Sequence, residues 1–295
     1  MMAVAETDPE GQTRLDTLVR ALAETGLVQG RDVTIAAKWY RGSFAIAQQA
    51  AKELIDFDAE VVVVNGTPGM DAIRAAGAGM PIVFVVVSNP LGAGYVTNLS
   101  RPAGNITGFS TFEPEIAGKW LQFLRQITPG LKHIAMLLDP KFIGFNSLWQ
   151  AVEEIAPKHG IVAIPAYASS LAEIEREVAA LALRESPSLI VAPSPVNTVN
   201  RKRLIEIANA SRLPTIYPFR FYVRDGALIA YGFNAADQFR RAANYVGRIL
   251  KGEKAGDLPV QAPSLFELGI NVRTAKAMGI TIPQALLIAA DEIVE

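Results

Sequence analysis

Along almost the whole chain, short apolar runs alternate with segments whose apolar positions recur every three to four residues, the pattern of βαβ units around a parallel sheet. In the first helical segment Leu15, Leu18, Val19 and Leu22 share one face. Thr7 and Glu10 are spaced for a capping box, Pro9 suits the first turn and Gly26 the C-terminal cap. Residues 32–40 read as an alternating strand carrying Val33, Ile35, Ala37 and Trp39, and a helix follows over 43–54. Val61-Val62-Val63-Val64 and Ile82-Val83-Phe84-Val85-Val86-Val87 are apolar at every position. That predicts central strands covered on both faces, with a short helix over 68–76 between them.

The second half repeats the scheme. It predicts strands at 133–138, 161–166, 188–192 and 215–217, and helices at 146–158, 171–183 and 197–210. A helix over 237–250 and a strand over 266–272 complete the chain, followed by helical segments. Arg101-Pro102-Ala103-Gly104-Asn105-Ile106-Thr107-Gly108 has the breaker density of a crossing between two bodies, and the glycine-framed strand at 225–232 is a second crossing. The expected organisation is therefore α/β with two comparable halves. One is residues 1–108 plus about 234–264, the other 109–233 plus about 265–295, joined by a hinge of several strands with a ligand cleft between.

Half of the 295 residues are apolar and 19% are charged, enough to fill real cores. A net charge of -1 with scattered Lys and Arg gives no basic face for nucleic acid. The absence of cysteine excludes disulfides, thiolate metal sites and a cysteine nucleophile, and leaves the compartment open. No apolar run approaches the ~18–20 residues that span a bilayer. Residues 1–9 carry no basic, apolar, cleavable segment, so any export signal is expected outside this sequence. Glu6-Thr7-Asp8-Pro9 stands where a dinucleotide fold wants its glycines, and no Walker, nucleophile-elbow or zinc-helix motif occurs. His133 and His159 fall away from strand exits, and the acidic groups Glu153-Glu154 and Glu173/Glu175/Glu177 read as solvated helix faces. No catalytic residue, metal ligand or cofactor is predicted.

Ligands of open parallel sheets bind beyond the carboxyl ends of the strands, where helix N-termini present free N–H groups. The exits here carry Thr7, then Asn65 and Thr67, then Ser88 and Asn89, then Asp139, Ser194 to Thr198, and Tyr217-Pro218-Phe219-Arg220. The same residue types cap helices in any α/β protein, so only their convergence marks a site. Phe142, Phe145, Tyr217, Phe219, Phe221, Tyr222, Tyr231 and Phe233 gather near the later exits and either stack on a ligand or pack the core. Arg220 either clamps a ligand carboxylate or forms a salt bridge.

Gly66-Thr67-Pro68, Pro81-Ile82-Val83-Phe84, Asn89-Pro90-Leu91-Gly92-Ala93-Gly94 and Leu99-Ser100 through Gly108 resemble the ABC transporter substrate-binding family that includes tryptophan- and phenylalanine-binding lipoproteins. The resemblance continues through Leu213-Pro214-Thr215-Ile216-Tyr217, Gly226 to Gly232, Arg240-Arg241-Ala242-Ala243, Ile249-Leu250-Lys251-Gly252 and the ending from Phe266 to Ile293. It implies a type I periplasmic-binding-protein fold with two Rossmann-like parallel-sheet lobes. It also implies a small organic solute such as an amino acid or aromatic carboxylate, a membrane ABC permease as partner, a monomer, and a place outside the cytoplasm, free or anchored. Ligand contacts then map onto Thr7, Thr67, Ser88, Asn89, Asn146, Tyr217 and Tyr231, beside Asn65 and Phe219 from the exits. The chain departs from the family pattern at its start, at Ala103 where glycine is usual, and in the aromatic residues after Leu138. A ligand-sensing domain of a regulator and a Rossmann-type enzyme remain as alternatives.

Overall fold

In the computed structural model, which describes residues 1–111, 114–140 and 146–295, the helices α1 (Pro9–Glu24), α2 (Phe44–Asp56) and α3 (Thr67–Ala75) accompany the strands β1 (Val62–Asn65), β2 (Ile82–Val87) and β3 (Ile106–Ser110). Next come α4 (Ile116–Ile127), β4 (His133–Leu138), α5 (Asn146–Ile155), β5 (Val162–Tyr167), α6 (Leu171–Ala182), β6 (Pro187–Val191), α7 (Pro195–Val199), α8 (Arg201–Ala210) and β7 (Thr215–Tyr217). The chain ends with α9 (Phe221–Arg224), β8 (Ile229–Phe233), α10 (Ala235–Leu250), β9 (Phe266–Asn271), α11 (Val272–Met278), α12 (Gln284–Ala289) and β10 (Glu292–Val294). It divides into two units, Met1–Thr111 with Asn234–Leu265, and Phe112–Phe233 with Phe266–Glu295.

In the first unit β1, β2 and β3 pair in parallel. Successive residues of a strand point to opposite faces, and the valine-rich runs serve both. Val62, Val64, Ile82 and Phe84 enter a core with Met70 and Ile73 of α3 and Ala51 of α2, whereas Val83 and Val85 enter a second core with Leu18 and Leu22 of α1 and Phe239 of α10. That two-sided demand is why every position of the runs is apolar.

The second unit holds a seven-stranded sheet in the order β10-β9-β8-β7-β6-β4-β5. Its strands from β5 to β8 are parallel, and β9 runs antiparallel to β8. β5 is an edge with an exposed face and carries Pro165, a residue tolerated at edges because it lacks a ladder donor.

Several expectations need correction. Asp8, not Thr7, caps α1, its carboxylate accepting the Glu10 N–H at 3.0 Å. Residues 32–40 form no strand, and among the described residues they make only isolated bridges, Met2 with Trp39 and Gln29 with Val33. The helix expected over 146–158 ends at Ile155 and continues as a 3-10 turn, Ala156–His159, because Pro157 cannot supply the next α-helical N–H. The helix expected over 197–210 is two helices broken at Asn200. Residues 101–108 do not cross between units; they turn into β3, with Asn98 Oδ1 accepting the N–H groups of Ser100 and Arg101. Ala103 there has φ 62°, so the glycine expected at that position would relieve left-handed strain.

Candidate functional site

In the first unit the N-terminal segment lies beside β1: Met1 N donates to Val63 O at 2.8 Å and Asn65 N to Met1 O at 3.0 Å. On its other side Met2 bridges Trp39 in parallel. The spatial order is thus residues 33–40, residues 1–5, β1, β2, β3. It reverses between the N-terminal segment and β1, and α1 and α3 leave toward opposite cores. Such a reversal opens a crevice at the carboxyl ends.

Asn65, buried, spans the reversal, its Oδ1 accepting the Ala3 N–H at 3.2 Å. Its main-chain carbonyl accepts the Tyr40 hydroxyl at 2.7 Å. That hydroxyl also takes the Gly69 N–H, one of the open donors of α3, and burial pushes the phenol far above its ordinary pKa. With Pro68 lacking an N–H, α3 keeps few free donors for an anion. Thr67 Oγ1 accepts the Ser88 N–H at 3.3 Å and ties the exits of β1 and β2 together. Asn89 is exposed at φ 41°, its Oδ1 accepting the Gly92 N–H in a turn. Thr7 is exposed in the turn closed by Asp8 N donating to Ala5 O.

Two residues missed from sequence shape this rim. Val86 has φ 58°, an outlier for a β-branched side chain, inside a bulge where the register with β3 shifts between Val85 and Val87. Gln238 of α10, buried, holds it: Oε1 accepts the Val86 N–H at 3.0 Å while Nε2 donates to Ser110 O at 2.7 Å. The available signal was a glutamine on the apolar stripe with Ala242 and Val246. Thr111 N donates to Val87 O, yet Thr111 Oγ1 is buried without a partner among the described residues.

In the second unit the parallel order β5-β4-β6-β7-β8 reverses between β4 and β6. Asn197, which lies in the Ser194–Thr198 exit but also reads as the start of a helix and was not among the expected ligand contacts, plugs that reversal. Its Nδ2 donates to Ala192 O at 2.8 Å and Leu137 O at 3.4 Å, and Ser194 Oγ accepts its N–H at 3.2 Å. Its Oδ1 is buried with no partner among the described residues. The Tyr217 hydroxyl at the end of β7 is the same, and burial raises its pKa well above the phenol range. Tyr217 stacks on Tyr222 at 5.1 Å, and the Tyr222 hydroxyl donates to Thr198 Oγ1 at 3.3 Å. Phe219 stacks on Phe221 at 5.7 Å and meets Phe233 edge-on at 5.5 Å.

Other expected positions are placed differently. Asn146 is exposed at the start of α5, and Asp139 is buried just past β4. Phe142 and Phe145 lie outside the described residues. Tyr231 sits in mid-strand, its ring 5.0 Å from Phe123 and 5.9 Å from Phe266, and its carbonyl accepts the Trp120 indole N–H at 2.8 Å. Of the two roles weighed for Arg220 the salt bridge is observed, to Glu267 at 3.2 Å and Glu292 at 3.1 Å.

Both rims offer amides, hydroxyls, main-chain N–H groups and aromatic faces, which orient a ligand by hydrogen bonding and stacking. A family profile described as ABC transporter substrate binding protein matches residues 6–294. The chain belongs to that family. A tyrosine-binding protein of Clostridioides difficile (strain R20291) is 23% identical over 266 residues, 88% of this chain and 74% of that protein. A conserved domain protein of Vibrio cholerae is 29% identical with a TM-score of 0.88, covering 96% of this chain and 94% of its own. An ABC domain from Streptococcus pneumonia in complex with L-Trp superposes with a TM-score of 0.90 at 23% identity, over 99% and 97% of the two chains. The fold is that of type I periplasmic binding proteins, and the family is one of substrate binders rather than enzymes. Among the described residues no helix is long and apolar enough to cross a membrane.

Proposed function

We propose that this substrate-binding protein is the solute receptor of an ABC import system and that its solute is an amino acid or a related aromatic carboxylate. Each unit contributes the carboxyl rim of its sheet, through Thr67, Ser88 and Asn89 in the first and Asn197, Tyr217 and Phe219 in the second. The solute draws the two rims together, and the closed form is what a membrane permease accepts. The protein works as a monomer outside the cytoplasm and performs no covalent chemistry.

The observation that carries this reading is the pair of polar atoms at strand exits that are buried without a partner among the described residues, Asn197 Oδ1 and Tyr217 Oη. Leaving such a group unpaired costs about 1–3 kcal/mol, a cost that a ligand's polar group removes. An amide oxygen only accepts, which suits an ammonium, and a phenol accepts or donates, which suits either end of an amino acid. The stacked Tyr217–Tyr222 and Phe219–Phe221 pairs add apolar faces nearby. The binding of L-Trp and tyrosine named for two relatives supports the same solute class.

The test is thermal shift and calorimetry with tyrosine, tryptophan, phenylalanine, other amino acids and aromatic acids, on the wild type and on Asn197→Ala. At a concentration 100 times its Kd, the cognate solute stabilises by about 2.7 kcal/mol. The variant is expected to lose at least tenfold in affinity. Failure of every compound to shift the transition, or turnover of one of them, would sink the proposal.

A further inference from the structure

In the second unit the segments that follow β6 and β7 are tied together by a buried cation, Arg201, the first residue of α8. Its Nε donates to Asp225 Oδ2 at 2.6 Å and its Nη1 to Thr198 O at 3.1 Å. The guanidinium also lies over the Phe221 ring, 5.3 Å from the centroid. Thr198 follows Asn197 in α7, and Asp225 closes α9 after Phe221. The three contacts therefore join the stretch that carries Asn197 to the stretch behind Tyr217.

Both stretches need such a tie. α7 has five residues and gives way to α8 at Asn200, and α9 has four. Helices this short are not stable by themselves, so packing against neighbours decides where their side chains stand. Thr198 is held from two directions, its carbonyl by Arg201 and its hydroxyl by the Tyr222 hydroxyl at 3.3 Å. Behind β7 the rings form a row, with centroids 5.7 Å apart for Phe219 and Phe221, 4.7 Å for Phe221 and Tyr222, and 5.1 Å for Tyr222 and Tyr217. Arg201 stacks on the middle of that row. A guanidinium can serve a carboxylate, a carbonyl and a ring face at once, because its N–H groups lie in one plane and leave its faces free.

We propose that Arg201 is a positioning residue for solute binding. Without touching the solute, it fixes Asn197 Oδ1 relative to the Tyr217 hydroxyl and the aromatic row, so that the polar atoms and the ring faces meet one ligand in one geometry. The proposal rests on the reading of this rim as part of the solute site.

The experiment is a double-mutant cycle on the full chain, with Arg201→Lys and Asn197→Ala made singly and together. Calorimetric Kd values are taken for whichever of tyrosine, tryptophan, phenylalanine, the other amino acids and the aromatic acids binds the wild type tightest. Lysine keeps the charge but loses the fork and the stack, and Asp225→Asn, which keeps an acceptor, is a gentler second variant. Arg201→Lys is expected to weaken binding about tenfold and Asp225→Asn about threefold, the range of a hydrogen bond held out of place. In the Asn197→Ala background each is expected to cost less than about twofold, because the atom it positions is gone. A residue that only stabilises the fold would weaken binding equally in both backgrounds. That result, or unchanged affinity in both single variants, overturns the inference and leaves the receptor reading standing. A wild type that binds none of the compounds sinks the receptor reading, and the role of Arg201 with it.

Discussion

The α-amine of Met1 is held inside the first unit, and burial alone lowers its pKa to about 5. An unfolded chain carries the same group near ~8. Between those values the unfolded chain binds a proton that the folded chain refuses, so stability on account of this group rises as pH climbs from about 5 to about 8. Below and above that window the group contributes no slope. Urea midpoints at pH 5, 6.5 and 8 are expected to increase in that order, and the increase should shrink when the amine is acetylated. Identical slopes with and without acetylation would remove burial of the amine as the cause. The same scale of argument separates Asn65 from Asn197. Asn65 gives its side-chain oxygen to Ala3 N–H and serves the strand order, whereas Asn197 gives only its Nδ2 to the sheet and keeps Oδ1 buried without a partner among the described residues.

At the level of elements, Gln238 is the clearest link between packing and rim. Replacing it with alanine leaves Val86 N–H and Ser110 C=O without their partner inside a buried layer. Each orphaned group costs about 1–3 kcal/mol, so Gln238→Ala is expected to lower stability by about 2–5 kcal/mol in chemical denaturation. It should also weaken solute binding, because Val86 loses what holds its left-handed bulge and the Ser88 exit shifts with it. Unchanged affinity in a destabilised variant would make Gln238 purely structural. This device also marks the limit of reading from sequence. β2, β4 and β7 have the bounds the apolar runs predict, since burial on both faces leaves little choice of residue. Bulges, the Asn200 break and the capping of α1 by Asp8 instead of Thr7 depend on local hydrogen bonds between competing residue types, to which hydrophobic period is blind. For the rim, the sequence pointed to the exits but not to which polar atoms their neighbours would satisfy. Arg220 read equally as a ligand clamp or a salt bridge and is held by Glu267 and Glu292, whereas Asn197 looked like a helix start and plugs the β4–β6 reversal.

At the scale of the whole molecule, the chain passes between its units at 111/112, 233/234 and 265/266. Neither unit is one continuous stretch. The first needs α10, whose Phe239, Ala242 and Val246 complete the core containing Val83 and Val85, and the second needs β9, which pairs with β8. Under the proposed function, a solute held by both rims must therefore protect both. Hydrogen exchange with saturating cognate solute is expected to slow residues 65–70 and 87–89 in the first unit together with 192–198 and 217–222 in the second. Protection of one rim alone would mean that a single unit carries the site, and closure would then lack its cause, because a ligand shifts an equilibrium only by its differential contact with the two states.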